Sequence, residues 1–166
     1  MSRAFVKEPD GEQADQEVIE RPQSEFPNYI TMPGLTRLKT RLEELRLRQK
    51  ELKSGDENLS VKDRLRTLEA EIRYLDKRVQ CAIPVEIHSQ PGADIRFGAT
   101  VHLVDENNRH YTFIIVGEDE ADADRGMLSW VSPLAREMIG KQAGACIVWM
   151  RPAGDLELEI TGFSYQ

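Results

Sequence analysis

Cysteine, histidine and long apolar runs are scarce in this chain of 166 residues, and each scarcity excludes a class of protein. The two cysteines, Cys81 and Cys146, lie far apart, so no disulfide framework is expected and a reducing cytoplasm is the predicted location. The three histidines are scattered, and no Cys/His spacing indicates zinc. No apolar run approaches the roughly 20 residues that span a bilayer, so no membrane association is expected.

Signatures of catalysis are also missing. The sequence has no nucleophile–base motif, no phosphate-binding glycine loop and no nucleotide fingerprint. The remaining candidates for function are a polar bend, an acidic loop and one short helical motif.

The net charge of −7 is distributed unevenly. Residues 1–34 carry a balance of −4, residues 35–82 of +4 and residues 83–166 of −7. An acidic body with one basic element is not typical of a general DNA coat. It favours a protein that docks on another protein and presents its basic element to an anionic partner, and a merely solvated helix surface is the alternative.

Apolar residues recur with heptad spacing on both sides of a polar bend at residues 53–60. A connection of eight residues predicts two antiparallel neighbouring helices within one chain, and pairing between chains is the alternative. Thr31 is the predicted N-cap of the first helix, and Ser60 with Asp63 resembles a capping box for the second. The two series are Leu35, Leu38, Leu42, Leu45, Gln49 and Leu52, then Val61, Leu65, Leu68, Ile72, Leu75, Val79 and Ala82.

The rest of the chain divides around this hairpin of residues 29–82. Residues 1–28 are acidic and interrupted by prolines, which predicts a disordered tail. Residues 83–96 form an irregular linker. Residues 97–166 are a compact sheet domain with strands at 97–104, 109–116, 126–131, 145–150 and 156–163. A short helix, 133–139, begins after Ser132 and stops at Gly140. The fold class is therefore α+β, with a helical coiled-coil hairpin followed by a small antiparallel sheet with one short helix.

Five motifs in this order resemble the bacterial Gre family of transcript cleavage factors over roughly residues 29–166. They are Thr31-x-x-Gly34-x-x-x-Leu38, FGATV at 97–101, IVGEDEAD at 115–122, SPLAR at 132–136 with Gly140-Lys141, and Pro152-Ala153-Gly154. The acidic tail before Tyr29 is not part of the usual family pattern.

The resemblance implies a monomeric elongation factor whose FKBP-like C-terminal domain binds RNA polymerase, while the hairpin enters the secondary channel and approaches the 3′ end of nascent RNA. DNA binding is a further expectation that comes with the same resemblance. The implied docking residues are Glu118, Asp119, Glu120, Asp122, Ser132, Pro133 and Arg136. The basic residues expected to face RNA or the channel are Arg37, Arg41, Arg46, Arg48, Arg64 and Arg66.

The bend carries the acids that the resemblance makes functional. Asp56 and Glu57 are expected to donate carboxylates to a Mg²⁺ ion shared with the polymerase, with no cofactor bound stably, so that the polymerase itself hydrolyses backtracked RNA. The family tip separates its two acids by two residues, whereas here they are adjacent, and the hairpin is shorter by about one heptad, roughly 10 Å. Asp56 carries over directly, and Glu57 only if two residues were deleted.

Three other functions stay open at this point. The shortened hairpin with its altered tip suits a regulator that occupies the same channel without stimulating cleavage. A chaperone or prolyl isomerase would use an apolar pocket built from Tyr111, Phe113, Trp130 and Trp149. A structural coiled-coil adaptor would self-associate through residues 35–82.

Overall fold

The computed structural model of the chain describes residues 21–55, 58–87 and 92–165. Two long helices, α1 (Met32–Ser54) and α2 (Leu59–Gln80), are joined by only four residues, 55–58, because both helices extend into the predicted bend. As predicted, Thr31 caps α1: its side chain accepts a hydrogen bond from the Gly34 N–H at 3.0 Å. Among the helices of the described ranges, none has the length and apolar character needed to cross a membrane.

The start of α2 differs from the prediction. Its N-cap is Asn58, whose side-chain oxygen accepts a hydrogen bond from the Val61 N–H at 2.9 Å. Ser60, the predicted cap, lies within the first turn of the helix. Asparagine caps at least as well as serine, so the earlier of two suitable residues takes the position.

Leucines at heptad spacing bury the face along which the two helices meet. The buried members are Leu35, Leu38, Leu42 and Leu45 of α1 and Leu68 and Leu75 of α2. Towards the tip the contact becomes polar, because Gln49 and Lys53 both donate to the Glu69 carboxylate at 2.9 Å. The bond from Lys53, followed by that from Gln49, lowers the pKa of Glu69.

The two ends of the hairpin are tied together at its base. Strand β1 (Tyr29–Thr31) pairs in parallel with β2 (Ile83–Val85), and the Ile83 N–H donates to the carbonyl of Asn28 at 2.8 Å. The predicted irregular linker therefore begins with a short strand. Its residues 88–91 lie outside the described part of the chain.

The second half of the chain forms a five-stranded sheet in the order β5-β4-β3-β7-β6. Its strands are β3 (Ala99–Asp105), β4 (His110–Val116), β5 (Met127–Ser129), β6 (Cys146–Trp149) and β7 (Leu156–Tyr165). The sheet is mixed rather than antiparallel, because β5 pairs in parallel with β4. The ten residues 117–126 contain two 3-10 turns, Glu118–Glu120 and Ala123–Arg125, and they give the chain room to return in the same direction.

One face of this sheet is covered by helix α3 (Pro133–Met138). The residues Leu134, Ala135 and Met138 of α3 are buried against the sheet, together with alternating residues of β3 and β7. The predicted alternation in β7 is confirmed, since Leu158 and Ile160 are buried whereas Glu157 and Glu159 are exposed. The six-residue helix is too short to cover the whole apolar face, so aromatic side chains complete its edge.

The turn between β3 and β4 depends on the Asp105 carboxylate. Its Oδ1 accepts hydrogen bonds from the backbone N–H groups of Arg109 at 2.8 Å and Asn107 at 2.9 Å, and Tyr111 donates its hydroxyl to Oδ2 at 3.2 Å. The bond from Arg109 is the main reason that the pKa of Asp105 lies below its usual value. These bonds hold Asn108 in the left-handed region, at φ 58°.

We predict that Asp105→Ala destabilises the chain at pH 6 and that the difference from wild type shrinks below pH ~4, the ordinary pKa of an unfolded aspartate. A carboxyl whose pKa is lowered in the folded state contributes stability above the unfolded pKa and loses it as the pH falls through the folded value. Urea unfolding followed by tryptophan fluorescence measures this. Asp105→Asn keeps one acceptor, and Glu106→Ala changes an exposed acid of the same turn; a pH-independent loss in Asp105→Ala would contradict the prediction.

Candidate functional site

The hairpin tip carries the acids predicted to meet a metal ion, and they fall outside the described residues. Asp56 and Glu57 are the two middle residues of the four-residue connection, between Gly55 and Asn58. Their role at the metal stays a prediction. Within the described ranges, no group of three or more His, Cys, Asp or Glu side chains could hold a metal ion.

Arginines border a groove of about 370 Å³ on one face of the hairpin. The arginines that line it are Arg41, Arg48 and Arg64, and the apolar lining is Leu45, Leu52 and Leu68. Arg46 instead bridges the helices, with an ion pair of 3.1 Å to Asp76. Arg66 lies exposed on α2. The structure therefore brings three of the six predicted arginines to one surface.

The Glu120 carboxylate lies at the N-terminus of α1, buried between the hairpin and the sheet domain with 2% of its side chain exposed. Its Oε2 accepts hydrogen bonds from the N–H groups of Thr31 at 2.9 Å and Gly117 at 3.2 Å. Its Oε1 accepts from the Thr31 hydroxyl and from Arg37 Nη2, the latter at 3.3 Å. A carboxylate is favourable there because the free N–H groups and the dipole of α1 present partial positive charge.

Glu120 performs for α1 the task that a glutamate three residues after the N-cap performs in a capping box. In α1 the third residue after the N-cap is Gly34, which has no side chain. The N–H of the N-cap residue Thr31 therefore donates to Glu120, which comes from the sheet domain. A Cβ at Gly34 would lie 2.1 Å from the Glu120 Cδ, and one at Gly117 would lie 2.4 Å from the Tyr29 carbonyl oxygen. Both glycines are needed for this close approach rather than for an unusual backbone conformation.

A second polar contact lies at the C-terminal end of α2, also at the base of the hairpin, around Arg78. The Arg78 side chain is 3% exposed and donates to Asp119 Oδ2 at 2.7 Å, to Asn28 Oδ1 at 2.6 Å and to Glu118 Oε2 at 3.4 Å. Asn28 in turn donates to the Arg78 carbonyl at 2.8 Å. Burial lowers the pKa of Arg78, but the hydrogen bond and charge of Asp119 outweigh this, so the pKa is raised above its usual value.

These contacts concern the acidic loop, residues 117–125, which the family resemblance makes a docking surface. Part of its charge is used within the chain. Glu120 and Asp119 point into the chain's own hairpin, because cationic and N–H groups at both helix ends lie within hydrogen-bonding distance. Glu118 is partly exposed. The half-buried Asp122 caps the second 3-10 turn by accepting from the Asp124 N–H at 3.2 Å.

The short helix α3 presents the other predicted docking residues. The Ser132 side chain caps it by accepting from the Ala135 N–H at 3.3 Å, Pro133 is its first residue, and Arg136 is exposed. All three predicted residues line a groove of about 420 Å³ with a largely apolar border. Met150, at its edge, is 70% exposed. An apolar groove beside exposed charges is typical of a protein-binding surface.

The four aromatic residues considered for an isomerase pocket pack on the core instead. Tyr111, Phe113 and Trp149 contact one another, with Trp149 edge-on to the other two rings at 6.0 and 5.5 Å between centroids. Trp130 lies separately, against Tyr29 at 5.2 Å. The four rings therefore do not line a common pocket.

Three residues where the hairpin meets the acidic loop escaped the sequence analysis as functional candidates: Asn28, Gly34 and Arg78. The available signal was Gly34, because a threonine N-cap followed by glycine three residues later lacks the usual glutamate. Such a pattern indicates that another part of the chain can supply the carboxylate.

We predict opposite effects of Gly34→Ala in two backgrounds. In wild type it destabilises the hairpin, because the new methyl group collides with Glu120. In Glu120→Ala it is neutral or stabilises by up to about 1 kcal/mol, because alanine favours a helix more than glycine does. Glu120→Ala alone costs about 2–4 kcal/mol, since it leaves buried N–H groups without acceptors.

Thermal and urea unfolding followed by circular dichroism of the four proteins in this cycle measures these effects. Glu118→Ala is the matched control, because Glu118 makes only the longer contact to Arg78. Equal costs of Gly34→Ala in both backgrounds would refute the close approach of Glu120 to α1.

Comparison with known proteins covers both halves of the chain. Residues 90–165 match the family model described as transcription elongation factor, GreA/GreB, C-term. A GreB transcription elongation factor of Neisseria meningitidis serogroup B is 34% identical over 157 residues, which cover 86% of this chain and 96% of that protein. A GreA transcription elongation factor of Jannaschia sp. is 39% identical over 116 residues, covering 69% of this chain and 74% of that protein.

Among solved structures, GreA factor homolog 1 (Gfh1) of Thermus thermophilus is 22% identical, with a TM-score of 0.40 and coverage of 84% of this chain and 99% of that one. The sequence relatives carry the assignment, since the GreB match extends through the hairpin and the sheet domain. The chain belongs to the GreA/GreB family of transcription elongation factors.

Proposed function

We propose that the chain binds RNA polymerase through its sheet domain and inserts the hairpin into the secondary channel. There its tip stimulates hydrolysis of backtracked nascent RNA by the polymerase's own active site. The chain acts as a cytoplasmic monomer and supplies groups to that site rather than forming an active site of its own. The observation that carries the proposal is the match to a GreB elongation factor over 96% of that protein's length.

The hairpin has the dimensions and charge of a probe. Its helix α1 contains 23 residues and is therefore about 34 Å long. Arg48 and Arg64 of the arginine-lined groove would offer guanidinium groups to phosphates along one side, whereas Arg41 pairs with Glu71 of the same groove at 3.4 Å. Glu120 and Arg78 hold the base of the hairpin against the sheet domain, so the tip keeps a defined position relative to the docking surface.

The tip would contribute carboxylate oxygens. Mg²⁺ prefers oxygen ligands in near-octahedral geometry and usually retains several waters, so two side chains suit a shared site and not a separate one. A Mg²⁺ ion shared with the polymerase would supply an activated water and positive charge beside the leaving phosphate oxygen. Asp56 and Glu57 would orient that ion and its water.

Docking on the polymerase would use the groove beside α3. Ser132, Pro133 and Arg136 border it, and the exposed Met150 extends its apolar edge. Asp122 and the partly exposed Glu118 would add charge at the rim. Asp119 and Glu120 would act indirectly, by fixing the loop to the hairpin.

DNA binding is not part of the proposal, because the excess of basic residues is confined to the hairpin.

A non-cleaving regulator is the second candidate, favoured by one observation: the connection of four residues leaves its two acids adjacent. Such a protein would block the channel without completing the metal site. The isomerase and adaptor functions have weaker support, because the aromatic rings do not share a pocket and the apolar seam of the hairpin is filled within the chain.

We predict that the wild-type chain accelerates RNA cleavage in backtracked complexes and that Asp56→Ala lowers the maximal rate by about 10²-fold, the usual loss when one electrostatic group of a reaction centre is removed. Glu57→Ala has a smaller effect, because its position departs from the family tip. Affinity for the polymerase stays unchanged in both variants. Single-turnover cleavage at saturating factor, with affinity measured separately, tests this.

Glu51→Gln is the matched control, since it removes one exposed negative charge from α1 near the tip and leaves the connection intact. If the wild-type chain binds but gives no acceleration at saturation, the cleavage function is wrong. The regulator is supported instead if the chain competes with a cleaving Gre factor and Asp56→Ala competes equally well.

A further inference from the structure

The segment of residues 21–28, which precedes the family pattern, follows a defined course across the base of the hairpin. At one end the Arg21 guanidinium lies over the Tyr74 ring of α2, 4.7 Å from its centroid. At the other end Asn28 is buried and exchanges two hydrogen bonds with Arg78. Residues 21–28 of the predicted disordered tail therefore make defined contacts, and residues 1–20 lie outside the described part.

Between these ends, Phe26 reaches the sheet domain. Its ring meets Trp130 edge-on, with centroids 6.1 Å apart and planes at 79°. The Arg136 guanidinium of α3 lies over the Phe26 ring, 4.8 Å from its centroid. One short segment thus contacts α2 of the hairpin and α3 of the sheet domain at the same time.

The segment contacts the hairpin at both of its ends. Residues 21–24 also line an open cleft of about 780 Å³, together with Leu38, Tyr74 and Leu75 of the hairpin and residues 118–120 of the acidic loop. A peptide held at separate contacts on two elements acts as a tie between them. It is not a packed layer of the core, and the 45% exposure of Phe26 agrees with this.

We propose that residues 21–28 form a brace that, together with the Glu120 and Arg78 contacts, fixes the angle between the hairpin and the sheet domain, with Arg21 and Phe26 as its positioning residues. A rotation of about 10° at the base would move the tip of a helix about 34 Å long by about 6 Å. Metal ligands tolerate only a few tenths of an ångström. The consequence for cleavage rests on the proposed function, whereas the mechanical role does not.

The brace predicts a change in geometry that can be measured without the polymerase. In a full-length chain with Cys81 and Cys146 replaced by serine, spin labels at Lys50→Cys near the tip and Glu157→Cys on β7 report their separation by double electron–electron resonance. Both label sites are exposed. We expect a single narrow distance distribution in this background and a broadened or shifted one after Arg21→Ala with Phe26→Ala.

Conservative and neighbouring variants separate the brace from a general loss of structure. Phe26→Tyr keeps the ring and Arg21→Lys keeps the cation, so both retain the narrow distribution. Glu25→Ala alters an exposed residue of the same segment and leaves the distribution unchanged. Circular dichroism confirms that the hairpin is intact in each. An unchanged distribution in the Arg21→Ala, Phe26→Ala chain overturns the proposal.

A kinetic measurement then connects the brace to the tip. The double variant should lower the maximal rate of stimulated RNA cleavage while its affinity for the polymerase remains that of the wild type. An unchanged maximal rate in the double variant would contradict the connection between the brace and the position of the tip. If the wild-type chain stimulates no cleavage, the proposed function fails, while the distance measurement still decides the brace.

Discussion

A single buried carboxylate, that of Glu120, lies where the N-terminus of α1 meets the sheet domain, and the relation between the two halves depends on it. Burying a carboxylate is unfavourable unless its charge is compensated. Here two backbone N–H groups, one hydroxyl, the partial positive charge of the helix N-terminus and Arg37 supply that compensation. Because these donors come from both halves of the chain, neither half alone can satisfy the group.

The Arg78 contacts at the base likewise pair a buried charge with groups from the other half of the chain. Arg78 adds a cation to the last turn of α2, where carbonyl groups carry partial negative charge, and Asp119 neutralises it. The hairpin is thus held at one helix start by an anion and at one helix end by a cation, both facing the loop after β4. Such directional bonds fix an angle better than apolar contact does, which suits a probe whose far end must arrive at a defined point.

Local patterns in the sequence predict much of the fold. Heptad spacing identifies both helices, and the alternation of Leu158 and Ile160 with glutamates identifies β7 and its buried face. The parallel pairing of β5 is not predictable in this way, because a three-residue strand takes its direction from the loop before it. Choosing Ser60 over Asn58 as N-cap failed because both residue types cap well and only geometry distinguishes them.

The site is less predictable than the fold because its contacts span long sequence separations. Glu120 bonds a residue 89 positions away, and Arg78 bonds Asn28 across 50 positions. Acidic residues in a loop suggest a solvated surface unless their partners are known. Likewise, the prolines and charges of residues 21–28 suggest disorder, because composition does not reveal that Arg21 and Phe26 each have an aromatic or cationic partner.

The central claim is that the Glu120 carboxylate couples the start of α1 to the sheet domain. Amide hydrogen exchange of the full chain tests it most directly, with wild type compared to Glu120→Ala. The account predicts that protection of the Thr31 amide and the first turn of α1 falls sharply in the variant, while Val101 and Leu103 in the sheet core keep theirs. Equal protection of Thr31 in both proteins would contradict it.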